Sequence, residues 1–169
     1  MLEIEELSKS FGNTLVVDNL SIVIEPNSVV GFLGPNGAGK TTTMRMISGY
    51  LYPDSGSVSI CGHRISENIV EAHRLLGYLP EAPSGFDQLS VFEFLSFCGQ
   101  ARGFYGSVLQ DSLFKISDRL DLTSKLSTPL VELSKGWRQR AWFAQSIMHD
   151  PKVIILDEPT DGLDPNQKE

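Results

Sequence analysis

Gly34-Pro35-Asn36-Gly37-Ala38-Gly39-Lys40-Thr41-Thr42 carries the spacing G-x-x-x-x-G-K-[ST], the pattern of a loop built to hold phosphate. Glycines at those positions let the backbone curl until several N–H groups point into one concavity. The helix that follows adds its positive N-terminal end. In this arrangement Lys40 reaches the β- and γ-phosphates of a nucleotide, and Thr41 offers its hydroxyl to Mg²⁺. A flexible glycine turn is the competing reading, and the flanks favour the phosphate loop. An apolar run, Val29-Val30-Gly31-Phe32-Leu33, precedes it, and a helix-like stretch from Thr42 to Gly49 follows.

Two further stretches have chemical content. Val153-Ile154-Ile155-Leu156 is a continuous apolar run, as in a strand buried on both faces, and it ends at Asp157-Glu158. There Asp157 would hold Mg²⁺ through water, and Glu158 would polarise an attacking water as general base. Two acids often end a strand in solvent; the phosphate loop upstream gives this pair its meaning. Leu133-Ser134-Lys135-Gly136 opens a helix. Ser134 reads there either as a plain N-cap or, with the N–H of Gly136, as a second phosphate contact using the same dipole.

These residues need a scaffold. Leu2 to Leu7 alternates apolar and acidic residues, with Leu2 and Ile4 inward, as a half-buried strand does. Ser8 to Asn13 reads as a turn, Leu15 to Val17 and Leu20 to Ile24 resume the alternation, and Val29 to Leu33 is the core strand feeding the loop. After Tyr52-Pro53-Asp54-Ser55-Gly56, a turn signal, Ser57 to Ile60 reads as a strand and Cys61-Gly62-His63 as a turn. Glu67 to Leu75 reads as a helix and Gly77 to Leu79 as a strand. From Gly85 to Leu133 the chain turns helical. Ser90 and Glu93 form a capping box, S-x-x-E, opening a helix through Arg102 whose buried face is Val91, Phe92, Phe94, Leu95 and Cys98. A second helix runs from Ser107 to Leu120, and a third, begun near Ser134, ends near His149 because Asp150-Pro151 stops it.

Composition narrows the classes. The chain has 169 residues, 41% hydrophobic and 21% charged, enough for one globular domain with a real core. A formal net charge of −7 disfavours a sequence-independent grip on nucleic acid. Cys61 and Cys98 read as buried free thiols, and His63, His73 and His149 are too scattered for a metal cluster. Met1 is followed by Leu-Glu-Ile-Glu-Glu rather than a basic and then apolar leader, and no apolar run approaches the roughly 18 residues of a span. A soluble, cytoplasmic chain is expected.

Taken together, GPNGAGKTT, LSKGWRQR, VIILDEP and DGLDP, in that order, resemble the Walker A, signature, Walker B and D-loop motifs of the nucleotide-binding subunits of ATP-binding cassette (ABC) transporters. The resemblance covers essentially the whole chain. It implies an α/β fold: a P-loop ATPase core of mixed sheet and helices (1–84 and 134–169), an N-terminal antiparallel β region, and an inserted helical subdomain at about 85–133. It further implies ATP and Mg²⁺ as cofactors, with Phe11 stacking on adenine. The phosphates would be held by Gly34, Pro35, Asn36, Gly37, Ala38, Gly39, Lys40, Thr41 and Thr42. Glu81 occupies the Q-loop position and joins Thr41 and Asp157 as a metal ligand. Lys40 and Glu158 are the implied catalytic residues.

The partners implied are an integral membrane permease and a second cassette, the same or a different chain, whose Ser134 and Gly136 would contact the γ-phosphate across a head-to-tail interface. The D-loop, Asp161 to Asp164, would cross it. Nucleic acid is not an expected partner, and the place implied is peripheral, on the inner face of the cell membrane. Some positions depart from the pattern. Glu81 stands for the usual Gln, within Tyr78-Leu79-Pro80-Glu81, which resembles an exporter-like branch. Trp137 stands for Gln at the end of the signature, and Asp161 for Ser or Asn. The sequence ends at Glu169, before the switch histidine the family pattern implies, so a C-terminally truncated domain is expected. The rival expectations are a soluble non-transport ABC ATPase and a fragment that binds ATP without hydrolysing it.

Overall fold

The N-terminal alternation becomes a long strand, β1 (Leu2–Phe11), in the computed structural model, which describes residues 1–158. The chain divides into two compact units, Met1–Gly77 and Tyr78–Glu169.

In the first unit β1 pairs antiparallel with β2 (Thr14–Ile24) on one side and with β3 (Ser55–Ile60) on the other. A two-residue strand, β4 (His63–Arg64), completes a sheet of order β2-β1-β3-β4. The turn expected over Ser8–Asn13 is confined to Gly12 and Asn13, because Ser10 and Phe11 pair with Leu15 and Thr14. Likewise β2 runs unbroken where a gap was expected. Its kink is absorbed at Asn19, a left-handed residue (φ 45°) whose N–H donates to Ser8 Oγ at 2.9 Å. Leu2 and Ile4 are buried as the alternation predicts, opposite Ile60 and Val58 of β3, and Leu7 is buried because the left-handed Glu6 (φ 47°) shifts the alternation by one residue; α1 (Lys40–Ile47) buries Met46 in the same unit. Helix α2 (Ile69–Arg74) is shorter than expected. Gly56 lies against the kink of β1: a Cβ there would sit 2.4 Å from the Glu5 carbonyl oxygen, at φ +83°. Only glycine fits that approach without moving backbone.

A further expectation fails in this unit. Val29–Leu33 forms no strand, and Val29 and Leu33 are 101% and 94% exposed. A strand buried on both faces needs a partner on each edge, and no strand among the described residues pairs with it.

β5 (Leu76–Leu79) leads into the second unit and forms a two-stranded sheet with β6 (Val153–Leu156). β6 forms as expected, but only Ile155 is buried; Ile154 and Leu156 are 48% and 37% exposed. Helices α3 (Val91–Ala101), α4 (Gly106–Arg119) and α5 (Lys135–Ile147) enclose a separate core of Phe94, Leu95, Leu113, Leu122, Leu130 and Ala144. Phe92, expected inside, is exposed: one residue on from Val91 the helix has turned about 100° away from that core. Phe86 takes a left-handed backbone (φ 60°), rare for a bulky residue, and its ring lies 5.6, 5.2 and 6.2 Å from those of Phe94, Phe97 and Trp142. The thiols are free but half-buried rather than buried. Burial pushes the Cys98 thiol up to about 11, with Arg102 opposing, so it stays protonated at neutral pH.

The capping box at α3 is complete. Ser90 Oγ accepts from the Glu93 N–H at 3.2 Å, and Glu93 Oε2 accepts from the Ser90 N–H at 2.8 Å and its hydroxyl at 2.7 Å. These bonds, first from the Ser90 hydroxyl and then from its amide, hold the Glu93 carboxyl below its ordinary value. A depressed carboxylate stabilises the fold above its unfolded pKa and loses that contribution as pH falls through its folded value. Glu93→Gln is therefore expected to melt about 2–4 °C below the parent chain at neutral pH. Thermal melts of the two chains should converge in acid; a constant gap at every pH would show that the charge is irrelevant.

Candidate functional site

The phosphate loop ends on Gly39, which precedes α1 in a left-handed conformation (φ +82°). A Cβ at Gly39 would sit 2.6 Å from the Val16 carbonyl oxygen and 3.1 Å from Val17 Cγ2, so β2 fixes how closely the loop can pass. The Ala38 N–H donates to the Pro35 carbonyl at 3.2 Å, curling the loop, and Thr43 Oγ1 and N–H both donate to the Gly39 carbonyl at 2.9 and 2.8 Å. Amides in the first helical turn, at Lys40, Thr41 and Thr42, have no carbonyl four residues back within the helix. Nothing there competes with a bound anion: α1 has no side-chain cap and no acidic residue in its first turn. The Lys40 ammonium donates to the Gly34 carbonyl at 2.8 Å and the Pro35 carbonyl at 3.0 Å, tying the front of the loop to its end. An ammonium has three donors, so this geometry holds its charge at the loop with one donor to spare.

Gly39→Ala carries a cost that can be measured. Alanine at a left-handed φ costs about 1–2 kcal/mol, before the contact with an immobile backbone oxygen is counted. A loss of about 2–4 kcal/mol in a denaturant titration is expected, with weaker ATP binding. Parent-like stability would mean that β2 yields.

Phe11 lies at the end of β1, beside the hairpin turn, and the residue is 51% exposed. Its neighbourhood contains residues the sequence did not single out. Asp54, read only as part of a turn, accepts from Lys9 Nζ and from the Ser10 N–H, both at 2.7 Å. Local patterning could not reveal this, because the partners are 45 and 44 residues apart.

In the second unit, β6 delivers the acidic pair. The Asp157 N–H donates to the Leu79 carbonyl at 2.9 Å, so the C-terminal ends of β5 and β6 lie side by side. Glu81 follows β5 by two residues and is exposed. Asp157 is 6% exposed, whereas Glu158 takes a left-handed backbone (φ 49°) and is exposed. Adjacent carboxylates thus have different environments. Ser134 caps α5 through a long bond, 3.5 Å, from the Trp137 N–H, and Gly136 lies in the first turn. The capping reading is met, and the exposed Ser134 hydroxyl keeps acceptor capacity for a second donor. Trp137, the odd residue of that motif, has the Arg140 guanidinium 4.8 Å and the Lys125 ammonium 5.8 Å from its ring centre.

Phe11, the phosphate loop and Thr41 belong to the first unit; Glu81, Ser134, Gly136, Asp157 and Glu158 belong to the second. Asp161 to Asp164 lie outside the described residues. No group of three or more His, Cys, Asp or Glu among the described residues could hold a metal by itself.

A profile of the family described as ABC transporter matches residues 17–161. The chain belongs to the ABC transporter family. It is 39% identical to the uncharacterized ABC transporter ATP-binding protein YhcH of Bacillus subtilis (strain 168), over 98% of this chain and 53% of that protein. It is 35% identical to Nod factor export ATP-binding protein I of Cupriavidus metallidurans, over 99% of this chain and 55% of that protein. A probable multidrug ABC transporter ATP-binding protein, YbhF of Escherichia coli (strain K12), is 36% identical over 98% of this chain and 28% of its own length. Among solved structures, the ATP-binding subunit of an ABC transporter superposes with a TM-score of 0.88 at 30% identity, over 98% of this chain and 69% of that one. The fold is that of an ABC ATP-binding subunit. The chain spans about half the length of the first curated relatives it matches. No helix among its described residues is long and apolar enough to cross a membrane.

Proposed function

We propose that this ABC family member binds ATP with Mg²⁺ and hydrolyses it to drive a substrate outward through a partner membrane permease. The loop amides, the α1 N-terminus and Lys40 would hold the β- and γ-phosphates and stabilise the charge that develops on them. Thr41, Asp157 and Glu81 would hold Mg²⁺, which when bound neutralises phosphate charge. Glu158 would take the proton of the attacking water at its carboxylate. Phe11 would carry the adenine. Ser134 and Gly136 would reach the γ-phosphate held by a second cassette, the same or a different chain. Export is favoured by the names of the relatives, one a Nod factor export protein and one a probable multidrug transporter protein.

The observation that carries the hydrolytic reading is the split between buried Asp157 and exposed Glu158 at the end of β6. One acid is screened from water and suited to hold a metal; its neighbour is open to water and suited to move a proton. Affinity purification from solubilised membranes tests the transport reading. An integral membrane permease should co-purify, with the protein on the inner face of the cell membrane. Recovery with ribosomes and no membrane partner would overturn it.

A further inference from the structure

The end of β1 is held by more than its hairpin. Between Leu7 and Ser10 the pairing of β1 with β2 is irregular, with register shifts at Leu7/Lys9 and Lys9/Ser10. Here the Ser10 N–H donates to Asp54 Oδ2 at 2.7 Å while Ser10 stays opposite Leu15 of β2. The Asp54 N–H donates in turn to the Ser8 carbonyl at 2.9 Å. Lys9 Nζ donates to Asp54 Oδ1 at 2.7 Å and lies 5.8 Å from the centre of the Phe11 ring. The Lys9 side chain is only 15% exposed, so its ammonium is lodged between a carboxylate and the aromatic ring. Gly56, two residues after Asp54, lies hard against the backbone of β1 at Glu5 and Glu6, which fixes the turn carrying Asp54. Three bonds from one residue therefore hold Ser8, Lys9 and Ser10, the three positions leading to Phe11.

We propose that Asp54 is a positioning residue for the nucleoside half of the site: by clamping Lys9 and Ser10 it fixes the Phe11 ring on which the base of ATP stacks. This rests on the reading of Phe11 as the base platform. A stacking platform contributes only when its ring is held in place before the base arrives, so loosening the clamp weakens base binding and leaves phosphate binding alone. The Lys9 side chain first, then the Ser10 amide, keep the Asp54 carboxyl below its ordinary value, so the clamp is ionised at neutral pH.

Titrating ATP and inorganic tripolyphosphate, each with Mg²⁺, into the parent chain and three variants tests this. Phe11→Ala should weaken ATP about tenfold with tripolyphosphate unchanged, given the usual worth of a stacked base. Asp54→Ala should weaken ATP about three- to fivefold, again with tripolyphosphate unchanged. Asp54→Asn, which keeps an acceptor for Ser10 but loses the ion pair, should fall between Asp54→Ala and the parent, and it decides the matter if Asp54→Ala does not fold. Equal weakening of both ligands by the Asp54 variants would make Asp54 a general prop of the sheet and overturn the proposal. Parent-like ATP binding in them, with Phe11→Ala impaired, would overturn it too while sparing Phe11. Parent-like ATP binding in Phe11→Ala would instead remove the base platform itself.

Discussion

Glu158→Gln is expected to lower ATP turnover by about 10²-fold or more while ATP binds about as tightly as before. The amide matches the carboxylate in size and can orient a water, but it cannot take the proton that water must lose. The backbone argues that the effect will be local. Glu158 already holds a left-handed conformation and is exposed, so glutamine meets the same backbone demand and disturbs no packing. Single-turnover hydrolysis and equilibrium ATP titration, run on the same preparation, separate the two quantities. Turnover equal to the parent's would remove Glu158 as general base.

Lys40→Ala is expected to act at the opposite stage, weakening ATP binding by about 10²-fold or more. Each charge-assisted hydrogen bond to phosphate is worth about 1.5–3 kcal/mol, and the substitution removes the charge together with the donors. It also cuts the ties from Nζ to the Gly34 and Pro35 carbonyls, so the front of the loop loses its fastening. Lys40→Arg keeps the charge but not the compact ammonium that reaches two adjacent carbonyls, and it should recover only part of the affinity. Binding by Lys40→Ala within a factor of a few of the parent would show that the loop amides and the helix end suffice.

Local structure is legible in the sequence where one short stretch contains all its parts. The glycine turn leading into α1, the Ser90–Glu93 capping box and the strand ending at Asp157 are each readable because cause and consequence are a few residues apart. Expectations fail where composition stands in for position or for a partner. Ser8 to Phe11 reads as a turn by composition, yet Leu15 and Thr14 pair with Ser10 and Phe11 and carry the strand onward. Val29 to Leu33 has the composition of a core strand, but composition cannot supply neighbours, and no described strand lies beside it. Phe92 reads as buried among apolar neighbours, but its position on the helix turns it away from the helical core. Asp54 was invisible for the same reason: its ligands are in another strand.

The third helix of the second unit has a mechanical consequence. α5 is capped by Ser134, in the motif proposed to touch a neighbour's nucleotide, and ends at Ile147, with five residues between it and the start of β6. Its thirteen residues make a rod about 20 Å long. The far end of the rod is anchored: Ser112 Oγ donates to the Met148 carbonyl at 2.9 Å, and Arg102 and His149 meet at 2.9 Å. A rod pinned at one end in this way keeps its capped end, and the Ser134 hydroxyl with it, at a set distance from Arg102 and Ser112, which hold the other.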